Sequence, residues 1–186
     1  MIVGILLAAG ESRRFGAKKL LHPLADGTPM LLRSISTMTA ALTRTVVVVP
    51  SGDIAHVELA MRAGADLCVC ERSRDGMGES LACGVRAAPQ ASGWIIGLAD
   101  MPFIQPASFR SIAQALEAGA PIAAPTYETR RGHPVGFARE YYAELASLSG
   151  DEGARRILER DRKRMVLVPV TDAGIHRDID TPADLN

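Results

Sequence analysis

The chain has 186 residues, enough to bury one full core and roughly one domain in length. Lys plus Arg and Asp plus Glu both number 21, so the formal charge is zero. That balance argues against a general binder of nucleic acid or anionic membranes, which needs a net basic field. A hydrophobic content of 47% excludes wholesale disorder, and aromatics at 4% leave little for a base-stacking surface.

In chain order, Ile2 to Leu7 is a short apolar run ending at Gly10, which predicts a buried strand. Thr28 as N-cap and Pro29 at the first helical position open a helix to about Leu42. Thr45 to Val49 is a second strand, stopped by Pro50. Asp53 caps a helix that ends at Gly64, and Asp66 to Cys70 is a third strand. The glycine-punctuated stretch Arg74 to Glu79 precedes a helix from Ser80 to Ala88. Trp94 to Ala99 is a fourth strand, Pro106 to Ala118 a helix and Ile122 to Ala124 a strand. A strand from His133 to Ala138, helices at Tyr141 to Ser147 and Glu152 to Arg160, and a strand from Met165 to Val170 complete the pattern.

Apolar strands alternating with amphipathic helices predict an α/β fold, a three-layer Rossmann-like arrangement with a mostly parallel central sheet. Residues 1–186 read as a single domain, with no repeat, low-complexity tract or linker. Ligands of such sheets sit beyond the carboxyl ends of the strands. No apolar run reaches the roughly 18 residues that span a bilayer. The apolar start MIVGILLAAG lacks the basic region of a signal peptide. The expectation is a cytoplasmic protein with no membrane and no nucleic-acid partner. Cys68, Cys70 and Cys83 lack a His at zinc spacing and read as small buried thiols.

Beyond the first strand come Leu7, Ala8, Ala9, Gly10, Glu11 and Ser12, then four cations between Arg13 and Lys19. Small residues allow close backbone approach, and free N–H groups cradle phosphate oxygens. The spacing is neither G-x-x-x-x-G-K-[ST] nor G-x-G-x-x-G, so it points to a nucleotide site outside those two patterns. Asp100 follows the fourth strand, where a carboxylate is placed for Mg²⁺; Asp180, in Asp178-Ile179-Asp180, is a second acid. Taken alone each acid reads first as a turn or cap residue, and Asp180 before Pro182 suits a cap; the two together with the basic glycine loop reverse that preference. Ser80 is either a helix cap or a contact to the base. In Arg131-Gly132-His133-Pro134, His133 is a positioning residue or a general base, and the arginines suit an anionic acceptor.

Together these pieces resemble the small nucleotidyltransferases of the molybdenum-cofactor pathway, and within them the cytidylyltransferase branch. The matching segments are LLAAGESRRFGAKKL (6–20), GMGESLACG (76–84), GLADMP (97–102), RGHPVGF (131–137), GDEGAR (150–155) and DIDTPADL (178–185), in family order. The resemblance implies transfer of CMP from CTP to the terminal phosphate of molybdopterin, with release of pyrophosphate. It implies Arg14, Lys19 and Asp100 as catalytic residues. Leu7, Ala8, Ala9, Gly10, Glu11, Ser12, Lys19, Ser80 and Asp100 would bind the nucleotide. Arg131, Gly132, His133 and Pro134 would face the acceptor, alongside GDEGAR. Asp100 and Asp180 would hold Mg²⁺, and a client molybdoenzyme is a possible partner.

LAAG rather than LAGG, and Lys18 where the guanine branch carries Asp, lean toward CTP over GTP. Competing readings are a guanylyltransferase on the same acceptor, a cytidylyltransferase acting on another phosphorylated acceptor, and a non-catalytic cofactor-binding chaperone. Nucleotidyl transfer needs positioning and charge neutralisation more than a covalent nucleophile. The lack of a Ser-His-Asp or Cys-His pattern agrees with it.

Overall fold

A computed structural model describes residues 1–10, 15 and 18–185. β1 (Ile2–Leu7) lies between β2 (Thr45–Pro50) and β4 (Gly93–Leu98), parallel to both, and β2 pairs in parallel with β3 (Asp66–Cys70). Beyond β4 comes β7 (Val135–Ala138), antiparallel to both β4 and β5 (Ile122–Tyr127). β5 also forms a hairpin with the short β6 (Arg130–Arg131), and β8 (Met165–Pro169) pairs with it in parallel on its other edge. The path is therefore β3-β2-β1-β4-β7-β5, with β8 at the far edge. The expected mostly parallel sheet is present, with β6 and β7 reversed. That reversal follows from the tight turn at Glu128 and Thr129, both at positive φ, which sends the chain straight back along β5.

The helices are α1 (Met30–Thr39), α2 (Ile54–Arg62), α3 (Met77–Ala87), α4 (Pro106–Glu117), α5 (Tyr142–Ala146) and α6 (Arg155–Arg160). Successive strand residues point to opposite faces. Leu6, Val47, Val49 and Ile95 therefore pack with Met30, Ile35, Met38, Phe109 and Ile112 of α1 and α4. Ile5, Val46, Val48, Trp94 and Ile96 pack on the other face with Leu81, Val85, Leu145 and Ile157 of α3, α5 and α6. Two cores separated by one sheet make the three-layer architecture.

Several helix starts differ from the sequence reading; α6 opens at Arg155 where Glu152 was expected, and α5 at Tyr142, one residue late. α1 opens at Met30 with Pro29 as its cap residue, one position later than expected. Pro29 bridges Pro23 instead, in the loop that carries the chain into the helix. α3 opens at Met77, three residues before Ser80, and its cap is Gly76 at φ 128°. A side chain at Gly76 would collide with the backbone of Gly150, so glycine is needed both for conformation and for close approach.

Cys68 and Cys70 share the buried face of β3, as their spacing predicts, and Cys68 Sγ lies 3.0 Å from Cys83 Sγ on α3. All three are free thiols. Burial pushes Cys70 and Cys83 up to about 11. They stay protonated at neutral pH, a state poor for nucleophilic or metal chemistry.

Candidate active site

Register sets the stage. Leu7 lies level with Val48 of β2 and with Leu98 of β4. The chain segments that follow β1 and β4 thus leave the sheet side by side, at its carboxyl edge. Ala8 N–H donates to Val48 O at 2.9 Å and Ala99 N–H to Leu7 O at 3.1 Å, which extends both strands by a residue. Asp100 comes next. Its neighbour's carbonyl, Ala99 O, accepts from the buried Ser34 hydroxyl of α1 at 2.8 Å, an anchor the sequence reading missed.

The acid-rich tail arrives at the same place. Ile179 N–H donates to Asp100 O at 2.9 Å, and the Ile179 side chain is fully buried. With Ile179 pointing inward, side-chain alternation puts both flanking aspartates on the face away from the core. Asp180 Oδ1 lies 3.6 Å from Lys19 Nζ, and Asp100 Oδ2 lies 2.9 Å from the same nitrogen. The charge of Asp178, like that of Asp100, acts on the His133 imidazole. The Asp184 carboxylate accepts from the Asp180 and Thr181 amides and the Thr181 hydroxyl, which holds the stretch that carries Asp180.

Lys19 begins a short 3-10 turn, Lys19–Leu21, held by Leu20 in the core. Its side chain is only 11% exposed. A cavity of about 630 Å³ opens above it, lined by Leu7, Ala9, Gly10, Ser80, Asp100 and Asp180 among others. Ser80 is buried in the first turn of α3 and reaches this cavity without capping the helix. Ala8 does not line it: the side chain is in the core and the amide is committed to Val48. Ser73 and Arg74 are wall residues to which sequence reasoning gave no role, and Asp151 of GDEGAR lies here and not on the expected acceptor side. Their signal was the glycine-rich pattern around 74–79 and 150–153, because Gly78 N–H donates to Gly150 O at 2.7 Å and joins the two loops. Arg14, Glu11 and Ser12 lie outside the described residues.

A second cavity of about 720 Å³ adjoins the first and shares Leu7, Met77 and Leu98 with it. Arg131, His133, Arg155 and Arg162 supply nitrogen groups to its wall, and Val135, Phe137, Leu158 and Met165 are apolar. GDEGAR straddles the boundary, with Asp151 on the first cavity and Glu152, Ala154 and Arg155 on the second. Gly132 and Pro134 are buried beside this wall without lining it. A side chain at Gly132 would strike the Ile175 carbonyl. His133 N–H donates to that same carbonyl at 3.0 Å, which fixes where the imidazole points.

His133 Nδ1 is buried and has no hydrogen-bond partner among the described residues. Burial holds the imidazole below its ordinary pKa, and the Arg131 charge adds to this, against the opposing pull of Asp100 and Asp178. Around neutral pH the ring is uncharged. The set of two carboxylates is a hard, all-oxygen donor group already wrapped around one cation, the Lys19 ammonium. That chemistry fits Mg²⁺ or Mn²⁺, which take few protein carboxylates and complete their shell with phosphates and water. Among the described residues no cluster of three or more His, Cys, Asp or Glu side chains is arranged to hold a metal unaided.

The model of the MobA-like NTP transferase domain matches residues 4–165. The chain belongs to that family. Purine catabolism protein PucB of Bacillus subtilis is 32% identical over 98% of this chain and 93% of its own length. Nicotine blue oxidoreductase of Paenarthrobacter nicotinovorans is 28% identical over 97% of this chain and 92% of its own. Rv0371c of Mycobacterium tuberculosis, solved in complex with manganese, superposes with a TM-score of 0.80 at 28% identity, covering 98% and 95% of the two chains. The fold is that of nucleotidyltransferases, and none of the helices among the described residues is long and apolar enough to cross a membrane.

Proposed function

We propose that the chain is a divalent-metal-dependent cytidylyltransferase that moves CMP from CTP to the terminal phosphate of molybdopterin and releases pyrophosphate. One observation carries this reading. Two cavities meet at a shared wall of Leu7, Met77 and Leu98, one holding Lys19, Asp100 and Asp180, the other Arg131, His133, Arg155 and Arg162. A donor triphosphate and an anionic acceptor would meet in line at that junction.

Asp100 and Asp180 would hold the metal, Mg²⁺ in this reading, and the manganese complex of Rv0371c supports a divalent cation at such a fold. When bound, the cation neutralises phosphate charge on the donor. Lys19, Ala9, Gly10 and Ser80 would orient the nucleotide, with Leu7 beneath it. Glu11 and Ser12 of the same loop would complete that grip, and Arg14 would stabilise the departing pyrophosphate. On the acceptor side, Arg131 would neutralise the attacking phosphate, and the neutral His133 would donate or accept one hydrogen bond. Gly132 and Pro134 would hold His133 in place. A phosphate monoester is largely ionised at neutral pH, so no strong general base is required.

Ala9, in place of a second glycine, narrows the floor of the donor cavity and favours the smaller pyrimidine. In this proposal residues 1–186 act as one domain in the cytoplasm, and the product passes to a client molybdoenzyme. The deciding experiment is pyrophosphate release with Mg²⁺ and molybdenum cofactor, with CTP and GTP in separate reactions. Release with CTP alone supports the proposal; release with GTP overturns the base assignment, and release with neither overturns the acceptor.

A further inference from the structure

We propose that the Lys19 ammonium is a placeholder cation, seated between Asp100 and Asp180 until a divalent metal arrives with the nucleotide, so that metal binding depends on nucleotide binding. The inference rests on the metal-site reading above and deepens it.

Lys19 Nζ is 2.9 Å from Asp100 Oδ2 and 3.6 Å from Asp180 Oδ1. Two carboxylates that share one ammonium would repel each other without it. A metal entering an empty site must therefore displace that ammonium, and free metal gains little. The base of Lys19 is fixed, since its carbonyl accepts from His22 N–H and Leu20 is buried in the core. The four-carbon stem above it is flexible and ends in a compact, rotatable charge. It can swing without unfolding the turn.

The cavity that Lys19 lines is also the one that would receive the triphosphate. A bound polyphosphate offers the ammonium a second anion and offers the metal further oxygen ligands. Both changes favour exchange of lysine for metal between the carboxylates. Lys19 thereby has two stations, on the acids before the nucleotide binds and on the phosphates afterwards.

The test is Mn²⁺ binding, read by electron paramagnetic resonance of the free ion and by calorimetry, with no turnover involved. Wild-type protein is expected to bind Mn²⁺ at least about tenfold more tightly with a non-hydrolysable CTP analogue than alone. Lys19→Met is expected to bind Mn²⁺ alone at least about tenfold more tightly than wild type, and Asp100→Asn added to it is expected to abolish that binding. Equal or weaker Mn²⁺ binding by Lys19→Met, with Asp100→Asn still removing it, overturns the placeholder and leaves the metal site standing. Mn²⁺ binding that ignores Asp100→Asn in every protein, with and without the analogue, overturns the metal-site reading and this inference with it. Should Lys19→Met fail to fold, Lys19→Gln carries the same test through melting temperature. Mn²⁺ must then raise Tm more in the variant than in wild type, and an equal or smaller rise overturns the proposal.

Discussion

The amide of Ile179 donates to the carbonyl of Asp100 at 2.9 Å. That one backbone bond joins the end of β4 to the tail of the chain, nearly eighty residues later. It brings the carboxylates of Asp100 and Asp180 to 2.9 and 3.6 Å from the Lys19 ammonium. The cavity around Lys19 is therefore assembled from three distant segments, β1 to the Lys19 turn, the β4 exit and the tail.

Asp100→Asn keeps the volume and removes the charge. Turnover is expected to fall by at least about a hundredfold, because charge neutralisation at a transferring phosphoryl group contributes several kcal/mol. Lys19→Ala is expected to lose a comparable share. Circular dichroism and Tm should stay close to wild type in both, and near-normal pyrophosphate release in either variant removes that residue from the mechanism.

Ala9→Gly opens the floor of the donor cavity where Ala9 lines it. The ratio of kcat/KM for CTP over GTP is expected to drop by about tenfold, the order set by one or two methyl-sized contacts in a pocket. A ratio that does not move places base selection elsewhere on the wall, with Ser80 the next position to change.

His133 carries a pH dependence with a definite sign. Its folded pKa lies below the ordinary 6.5, burial being the larger cause and Arg131 the second. The unfolded chain therefore binds a proton more readily than the folded one. Stability from this group is fully present above about pH 6.5 and is lost as the pH falls toward the folded pKa. Urea melts at about pH 7.5 and about pH 5 should show a weaker acid-side loss in His133→Gln than in wild type. Identical losses would mean that His133 is not the group responsible.

Asp172 is a buried structural acid, distinct from Asp100 and Asp180. It is 4% exposed, and its carboxylate accepts from Gln105 N–H at 2.7 Å, the Ser108 hydroxyl at 2.6 Å and Gly174 N–H at 2.9 Å. It ties the start of α4 to the loop that supports Gly132 and His133. Asp172→Ala should cost roughly 2–4 kcal/mol, since it strands several buried donors. Denaturant titration measures this, and a cost below about 1 kcal/mol would show that water replaces the carboxylate.

Several parts of this molecule were legible in the chain. β1, β2, β3 and α4 fall within a residue or two of their apolar runs, because continuous β-branched segments and a Pro at a helix start leave few alternatives. The start of α3 was misread by three residues. Its cap is a glycine chosen by a neighbour, Gly150, that is remote in sequence. β6 was not foreseen, since a two-residue strand has no period to detect, and the antiparallel setting of β7 depends on the turn at Glu128 and Thr129.

The site divides in the same way. Residue type and local order were enough to mark Lys19, Asp100, Asp180 and His133, because small residues, cations and acids after apolar strands are local features. Which of Asp178 and Asp180 approaches Lys19 is not set by their local sequence. Contacts between distant segments decide it: Asp180 Oδ1 lies 3.6 Å from Lys19 Nζ, and the charge of Asp178 acts on His133. Composition and spacing act over a few residues and set the candidates. The direction in which each candidate points is decided by packing between segments far apart in the chain, and only the folded molecule contains that information.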